Sequence, residues 1–130
     1  VILGLSILPD KRALMTILLK RAYEPYAPSD GFRILVDRLW PRGVSKCSVH
    51  VDLWLKDVAP STPLRKWFGH DRLKWIEFRE RYFLELCHNS EAVEQLAQHV
   101  NHGPVTLVYG AKDKEYNHAV VLREYLENRK

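Results

Sequence analysis

The chain has 130 residues, 46% of them hydrophobic and 28% charged, and a formal net charge of +4. That length suits one domain able to bury roughly two thirds of its unfolded surface, so its core needs no disulfide support. The composition excludes a disordered chain, and the modest charge does not by itself call for nucleic acid.

Val1 to Leu14 precede Met15, the only methionine. They are expected to be an extension outside the fold, leaving a single domain over 15–130. The opening VILGLSIL lacks a basic leader and a small-residue cleavage site, and no apolar run reaches the ~18–20 residues of a membrane span. A cytoplasmic protein without a membrane partner is the default reading.

Thr16 to Glu24 reads as a strand, closed by the loop PYAPSDG, and Phe32 to Asp37 as a second. Val49, Val51, Leu53 and Leu55 alternate, which favours an extended segment, with a short helix as the alternative. Ser61 can cap a short helix through Phe68 to Gly69, with Pro63 in its first turn. Asp71 can cap a longer one to about Leu86. Its stripe is wide: Trp75, Phe78, Tyr82 and Leu86, extended by Ile76, Phe83 and Cys87. Core packing on most of its girth, with a buried Cys87 thiol, is expected. Glu91 to His102 forms a third helix before Gly103, and PVTLVY (104–109) a strand. A last helix is expected from Asp113 or Lys114 to about Glu127, with Ala119, Leu122 and Leu126 inward. The order implies an α/β fold: one small domain, an at least partly parallel sheet, flanking helices.

The positive excess is local. Arg33 to Arg72 holds eight basic residues against four aspartates, whereas Leu73 to Asn101 holds three basic and five acidic ones. Such an excess attracts anions, although a solvated basic face is the alternative. Within it lies RILVDRLWPRG, a strand running into charge. Alternation sets Leu35, Asp37 and Leu39 on one face and Ile34, Val36 and Arg38 on the other. Asp37, emerging beside leucines, needs a cationic or donor partner. Pro41 fixes its own φ and pushes Trp40 toward an extended conformation, while Gly43 can close the turn. A stiff loop then carries Arg38, Trp40 and Arg42. Either these side chains hold an anion, or the arginines make structural ion pairs and Trp40 plugs the edge of the core.

The second candidate stretch is VTLVYGAKDKEYNHAVVL. Strand, turn and helix N-terminus form the geometry in which open α/β sheets bind ligands. Lys112 would add a charge there, and Asn117 a polar contact. Asp113 is either a helix cap or an acid, and His118 either a core histidine or a general base. The third stretch is LRKWFGHD, which offers Trp67 and His70 as pocket walls, with Asp71 as the cap of the next helix. Cys47 and Cys87 are forty residues apart without metal-ligand spacing, so no metal site is expected. No dinucleotide, P-loop or nucleophile-elbow motif is present, and no cofactor is indicated.

The segments ILVDRLWPRGVSK, DLWLKDVAPSTPLRKWFGHD, FRERYFLEL and VTLVYGAKDKEYNHAVVLREYL together resemble the YeaO-like family, the domain of unknown function 488. The resemblance runs from about Ile17 to Leu126. It implies a bacterial-type, cytoplasmic, single-domain α/β protein and no particular reaction. Its motif blocks take in Asp37, Arg38, Trp40, Arg42, Lys56, Asp57, Arg65, Trp67, His70, Asp71, Lys112, Asp113, Asn117 and His118. Where that family often has alanine, this chain has Gly110.

The expected function is a small enzyme or ligand-binding domain for a phosphorylated or carboxylated small molecule. Arg38, Arg42, Lys112 and Asn117 would hold the anion, and Asp37 or Asp113, with His118, would handle protons. Trp40, Trp67 and His70 would wall the pocket. A nucleic-acid-binding module and an interaction protein without chemistry are the alternatives. The sequence leaves the oligomeric state open.

Overall fold

A computed structural model describes residues 16–129; the expected extension over Val1–Leu14 lies outside them. In chain order the described elements are β1 (Ile17–Arg21), β2 (Phe32–Leu35), α1 (Lys46–Val49), β3 (Leu53–Trp54), α2 (Thr62–Phe68), α3 (Trp75–Cys87), α4 (Ser90–His102), β4 (Val105–Tyr109) and α5 (His118–Glu127). The strands form one fully parallel sheet in the order β1-β4-β2-β3. The fold is α/β, as expected, and all four strands end on one edge of the sheet.

The central strand explains the layers. In β4, VTLVY is buried at every position, the continuous apolar run that a strand covered on both faces requires. Val105, Leu107 and Tyr109 join Ile34 and Val36 beneath α2 to α5, whose Leu64, Phe78, Leu96 and Leu122 close the main core. Leu35 and Val108 face the other way. There only a thin layer covers them, built from Ala22, Val49, Trp40, Val44 and Val51.

At the strand starts a charge is sealed inside. Arg33 is fully buried: Nη1 meets the Asp30 carboxylate, Nη2 donates to Val49 O at 2.9 Å and Nε to His50 O at 3.0 Å. Asp30, 1% exposed, also pairs with Lys20 at 2.9 Å, and its carbonyl accepts from Thr106 Oγ1 at 2.7 Å. Burial pushes the Asp30 carboxyl up, but the Lys20 ammonium, the Ala27 N–H and the Arg33 guanidinium together hold it below its ordinary value. These bonds tie β1, β2, β4 and α1 together on the thin side of the sheet.

Three expectations need correction. The final helix starts at His118, because Asn117 and not Asp113 is its cap: Asn117 Oδ1 accepts from Val120 N–H at 3.1 Å. The segment 49–55 is not one extended strand: Val49 closes α1, residues 50–52 are irregular, and only Leu53–Trp54 pair as β3. On α3 the apolar stripe is narrower than expected, with Ile76 73% exposed and Cys87 exposed rather than buried. Trp75, Phe78 and Tyr82 already fill the space below the helix, so the outer arc faces solvent.

Asp30→Asn removes the carboxylate from a buried guanidinium, and breaking such a pair costs about 3–5 kcal/mol. Urea unfolding should show a loss of that size. The depressed Asp30 value also fixes the sign with pH. Its contribution is complete above the unfolded aspartate value of about 3.9 and is lost as pH falls through the folded value. The variant should therefore lose less stability on acidification than the parent.

Candidate functional site

β2 ends where its ladder ends. Val36 N–H donates to Val108 O at 3.0 Å, and beyond it the chain leaves the sheet toward Pro41, which has no N–H to offer. Two bonds fix the exit. Trp54 Nε1 donates to Asp37 O at 2.7 Å, and Asp37 Oδ2 accepts from Gly110 N–H at 2.8 Å. The partner that Asp37 needs is thus a backbone donor at the end of β4. A Cβ on Gly110 would stand 2.9 Å from that oxygen, so glycine allows the carboxylate its close approach.

His118 opens α5 beside the same exit. Its Nε2 lies 3.0 Å from Val36 O and 3.2 Å from Asp37 Oδ1. A carbonyl only accepts, so Nε2 carries the proton and donates to it. Asp37 Oδ1 is shielded from solvent and receives no well-directed hydrogen bond. Behind His118, Tyr82 is fully buried and its hydroxyl donates to Val58 O. Burial first, then the Glu85 and Asp37 charges, push that phenol far above its ordinary value and keep it neutral.

Arg38 leaves the turn toward the start of α2. Its Nε donates to Pro60 O at 3.2 Å and its Nη2 to Ala59 O at 3.1 Å. Carbonyls orient the guanidinium and leave its charge uncompensated. Among the described residues no carboxylate pairs with Arg38, Arg42 or Arg65. Pro41 is buried, Gly43 takes φ 73°, and Tyr23 Oη donates to Arg42 O at 2.8 Å, so the turn is held at both ends. Trp40 packs edge-on to Trp54 and donates from Nε1 to Val44 O at 2.7 Å.

These groups enclose a cleft of ≈ 360 Å³. Asp37, Arg38, Trp40 and Arg42 line it from the β2 exit, Gly110, Ala111, Asn117 and His118 from the β4 exit. Arg65, Phe68 and His70 line it from α2, and Phe78 from α3. The two turns singled out in the sequence therefore open into one space, at the carboxyl ends of parallel strands.

Not every sequence candidate reaches that space. Lys112 is exposed and does not line the cleft, and neither do Trp67 and Asp113. Trp67 is covered by the Lys74 ammonium and the Arg81 guanidinium, 5.1 and 4.4 Å from its ring centre. Asp113 accepts from the N–H groups of Tyr116 and Glu115 and pairs with Arg72 at 2.9 Å. Those two backbone donors, then Arg72, hold its carboxyl below the ordinary range, so it is ionised at neutral pH. Asn117 borders the cleft with its amide engaged at both ends, on Val120 N–H and Asp113 O.

The sequence reading did not assign Arg65, Tyr23, Phe68 or Phe78 to the site. Arg65 stood in a recognised stretch, but nothing local reveals that α2 points it at the β2 exit. His70 arrives there because Gly69 and His70 both take left-handed backbone angles, φ 53° and 58°. Among the described residues, no group of three or more His, Cys, Asp or Glu side chains is placed to hold a metal ion. No helix there is long and apolar enough to cross a membrane.

A family model described as "Inactive DUF488-N3 subclade" matches residues 16–130. The chain is 45% identical to the uncharacterized protein YeaO of Escherichia coli (strain K12), over 88% of this chain and 99% of that one. It is 42% identical to uncharacterized proteins of Mycobacterium bovis (Mb3100c) and Mycobacterium tuberculosis (Rv3073c), over 84% of this chain and 92% of each relative. No solved structure matches the chain significantly.

If Asp37 joins the two strand exits through Gly110, Asp37→Ala leaves that N–H without its acceptor and should cost about 1–3 kcal/mol in chemical denaturation. Asp37→Asn retains an oxygen for Gly110 and should lose less. Equal losses would mean that the bond contributes little.

Proposed function

Because the chain belongs to the YeaO-like DUF488 family, matched by a model whose description reads inactive, we propose a ligand-binding domain that holds an anionic small molecule without turning it over. One observation carries the reading. Three arginines from two separate segments, none paired with a carboxylate among the described residues, line the same cleft as Trp40, Phe68 and Phe78. Arg33 and Arg79, by contrast, each face a carboxylate, that of Asp30 and that of Glu124.

The absence of turnover has its own support. The cleft's carboxylate, Asp37, is engaged by Gly110 N–H, and the His118 proton at Nε2 is directed to a backbone carbonyl. Both groups then serve to fix the two exits and shape the floor. Asp113, the other candidate acid, anchors its own turn. The positive end of α5 adds to the field that an anion would meet.

A nucleic-acid surface fits less well. The unpaired arginines converge in a concavity, and the Trp67 ring, which would otherwise be available to stack on a base, is already covered by two cations.

Arg42 and Arg65 are exposed at the rim, so each can be truncated without opening the core. Arg42→Ala and Arg65→Ala should each weaken phosphate or sulfate binding about tenfold, equivalent to ~1.4 kcal/mol. Stability should change by no more than about 0.5 kcal/mol, the usual range for surface substitutions. Isothermal titration and thermal unfolding read the two quantities separately. Lower stability with unchanged affinity would assign the arginines a structural role instead.

A further inference from the structure

The lining of the cleft bears on the charge and the body of its ligand. We infer that it takes a phosphate monoester with a flat, apolar organic part, in preference to a carboxylate, a sugar phosphate or free phosphate. This inference rests on the anion-binding reading proposed above.

Charge comes first. Arg38, Arg42 and Arg65 face the cleft against one carboxylate, that of Asp37. Two positive charges therefore remain to be matched. A monocarboxylate leaves one of them over, whereas a phosphate monoester carries about −1.5 to −2 at pH 7. All three cations are arginines, whose planar forks suit the oxygens of phosphate better than a lysine point charge does. Arg38 is held in advance by the carbonyls of Ala59 and Pro60 through Nε and Nη2, and its Nη1 has no protein acceptor among the described residues. An anion meeting it need not order that side chain.

The body follows from what separates the arginines. Half-buried Trp40 borders the lining, and the buried rings of Phe68, Phe78, Pro41 and Pro60 back it with apolar surface. Several polar groups that could satisfy sugar hydroxyls are already engaged, although among the described residues Asp37 Oδ1 and the His70 ring are not. Trp40 Nε1 donates to Val44 O, Tyr23 Oη to Arg42 O, and both ends of the Asn117 amide have partners. A volume of ≈ 360 Å³ is also more than a bare phosphate fills, and lies near the lower end of the roughly 300–1,000 Å³ usual for ligand pockets.

The test is isothermal titration of the full chain with phenyl phosphate, inorganic phosphate, glucose 6-phosphate and benzoate, at pH 5 and pH 8. At pH 8 phenyl phosphate should bind at least tenfold more tightly than each of the other three. Its affinity relative to benzoate should rise several-fold between the two pH values, because the second phosphate ionisation, near pH ~6, lies between them. His70 and His118 also face the cleft, beside Asp37 and Tyr23, so the phenyl phosphate affinity is read against that of benzoate at the same pH.

Benzoate binding as tightly as phenyl phosphate, with a ratio independent of pH, overturns the dianion assignment. Inorganic phosphate or glucose 6-phosphate binding as tightly overturns the apolar body. In either case, loss of that binding in Arg42→Ala leaves the anion-binding reading standing. No binding of any of the four overturns both.

Discussion

The parallel pairing of β2 with β4 is the constraint on which the other features rest. With Leu35 set opposite Val108, the residues just past the two strands leave the sheet side by side. Asp37 then reaches the Gly110 N–H, and His118 reaches Val36 O, without further adjustment of the backbone. A shift of one residue would turn Ile34 and Leu35 to the wrong faces and separate both contacts. The same pair is secured at its start, where Thr106 donates to Asp30 O and Phe32 N–H donates to Pro104 O.

The two ends of this strand pair treat arginine differently. Arg33, at the start of β2, is removed from water and matched by a carboxylate and two carbonyls. Arg38, just past its end, is held by two carbonyls and keeps its charge. A buried cation requires a counter-charge, which Asp30 supplies to Arg33, whereas half-buried Arg38 is met by carbonyls alone. Asp37 lies next to Arg38 in sequence yet turns to Gly110. The arginine-rich turn thus acquires a net positive wall.

Much of this was legible in the sequence, for identifiable reasons. Capping chemistry is local, so Ser61, Pro63 and Gly69 marked α2 correctly, and the β-branched run VTLVY marked the central strand. The resemblance named the family. Asp37's need for a donor followed from alternation, but the donor itself, a backbone N–H 73 residues away, is a tertiary fact. Arg65 was beyond reach for the same reason, since its relevance depends on where α2 sits over the sheet. Lys112 failed to reach the cleft because the turn after β4 is longer than it looked. Asp113 organises that turn, and the helix waits for Asn117, which carries the exposed Lys112 side chain away from the cleft. Cys87 and Ile76 show the limit of periodicity: a wide stripe states which residues are apolar, not how many the partner layer can cover.

The central claim is that Arg38, Arg42 and Arg65 are directed at an external anion and not at one another's neighbours in the fold. A crystal structure with tungstate, a tetrahedral dianion visible by its anomalous signal, tests this most directly. The account predicts an anomalous peak inside the cleft, within hydrogen-bond distance of Arg38 Nη1 and flanked by Arg42 or Arg65. Peaks confined to other surfaces, with the three arginines folded onto carboxylates of their own chain, would contradict it.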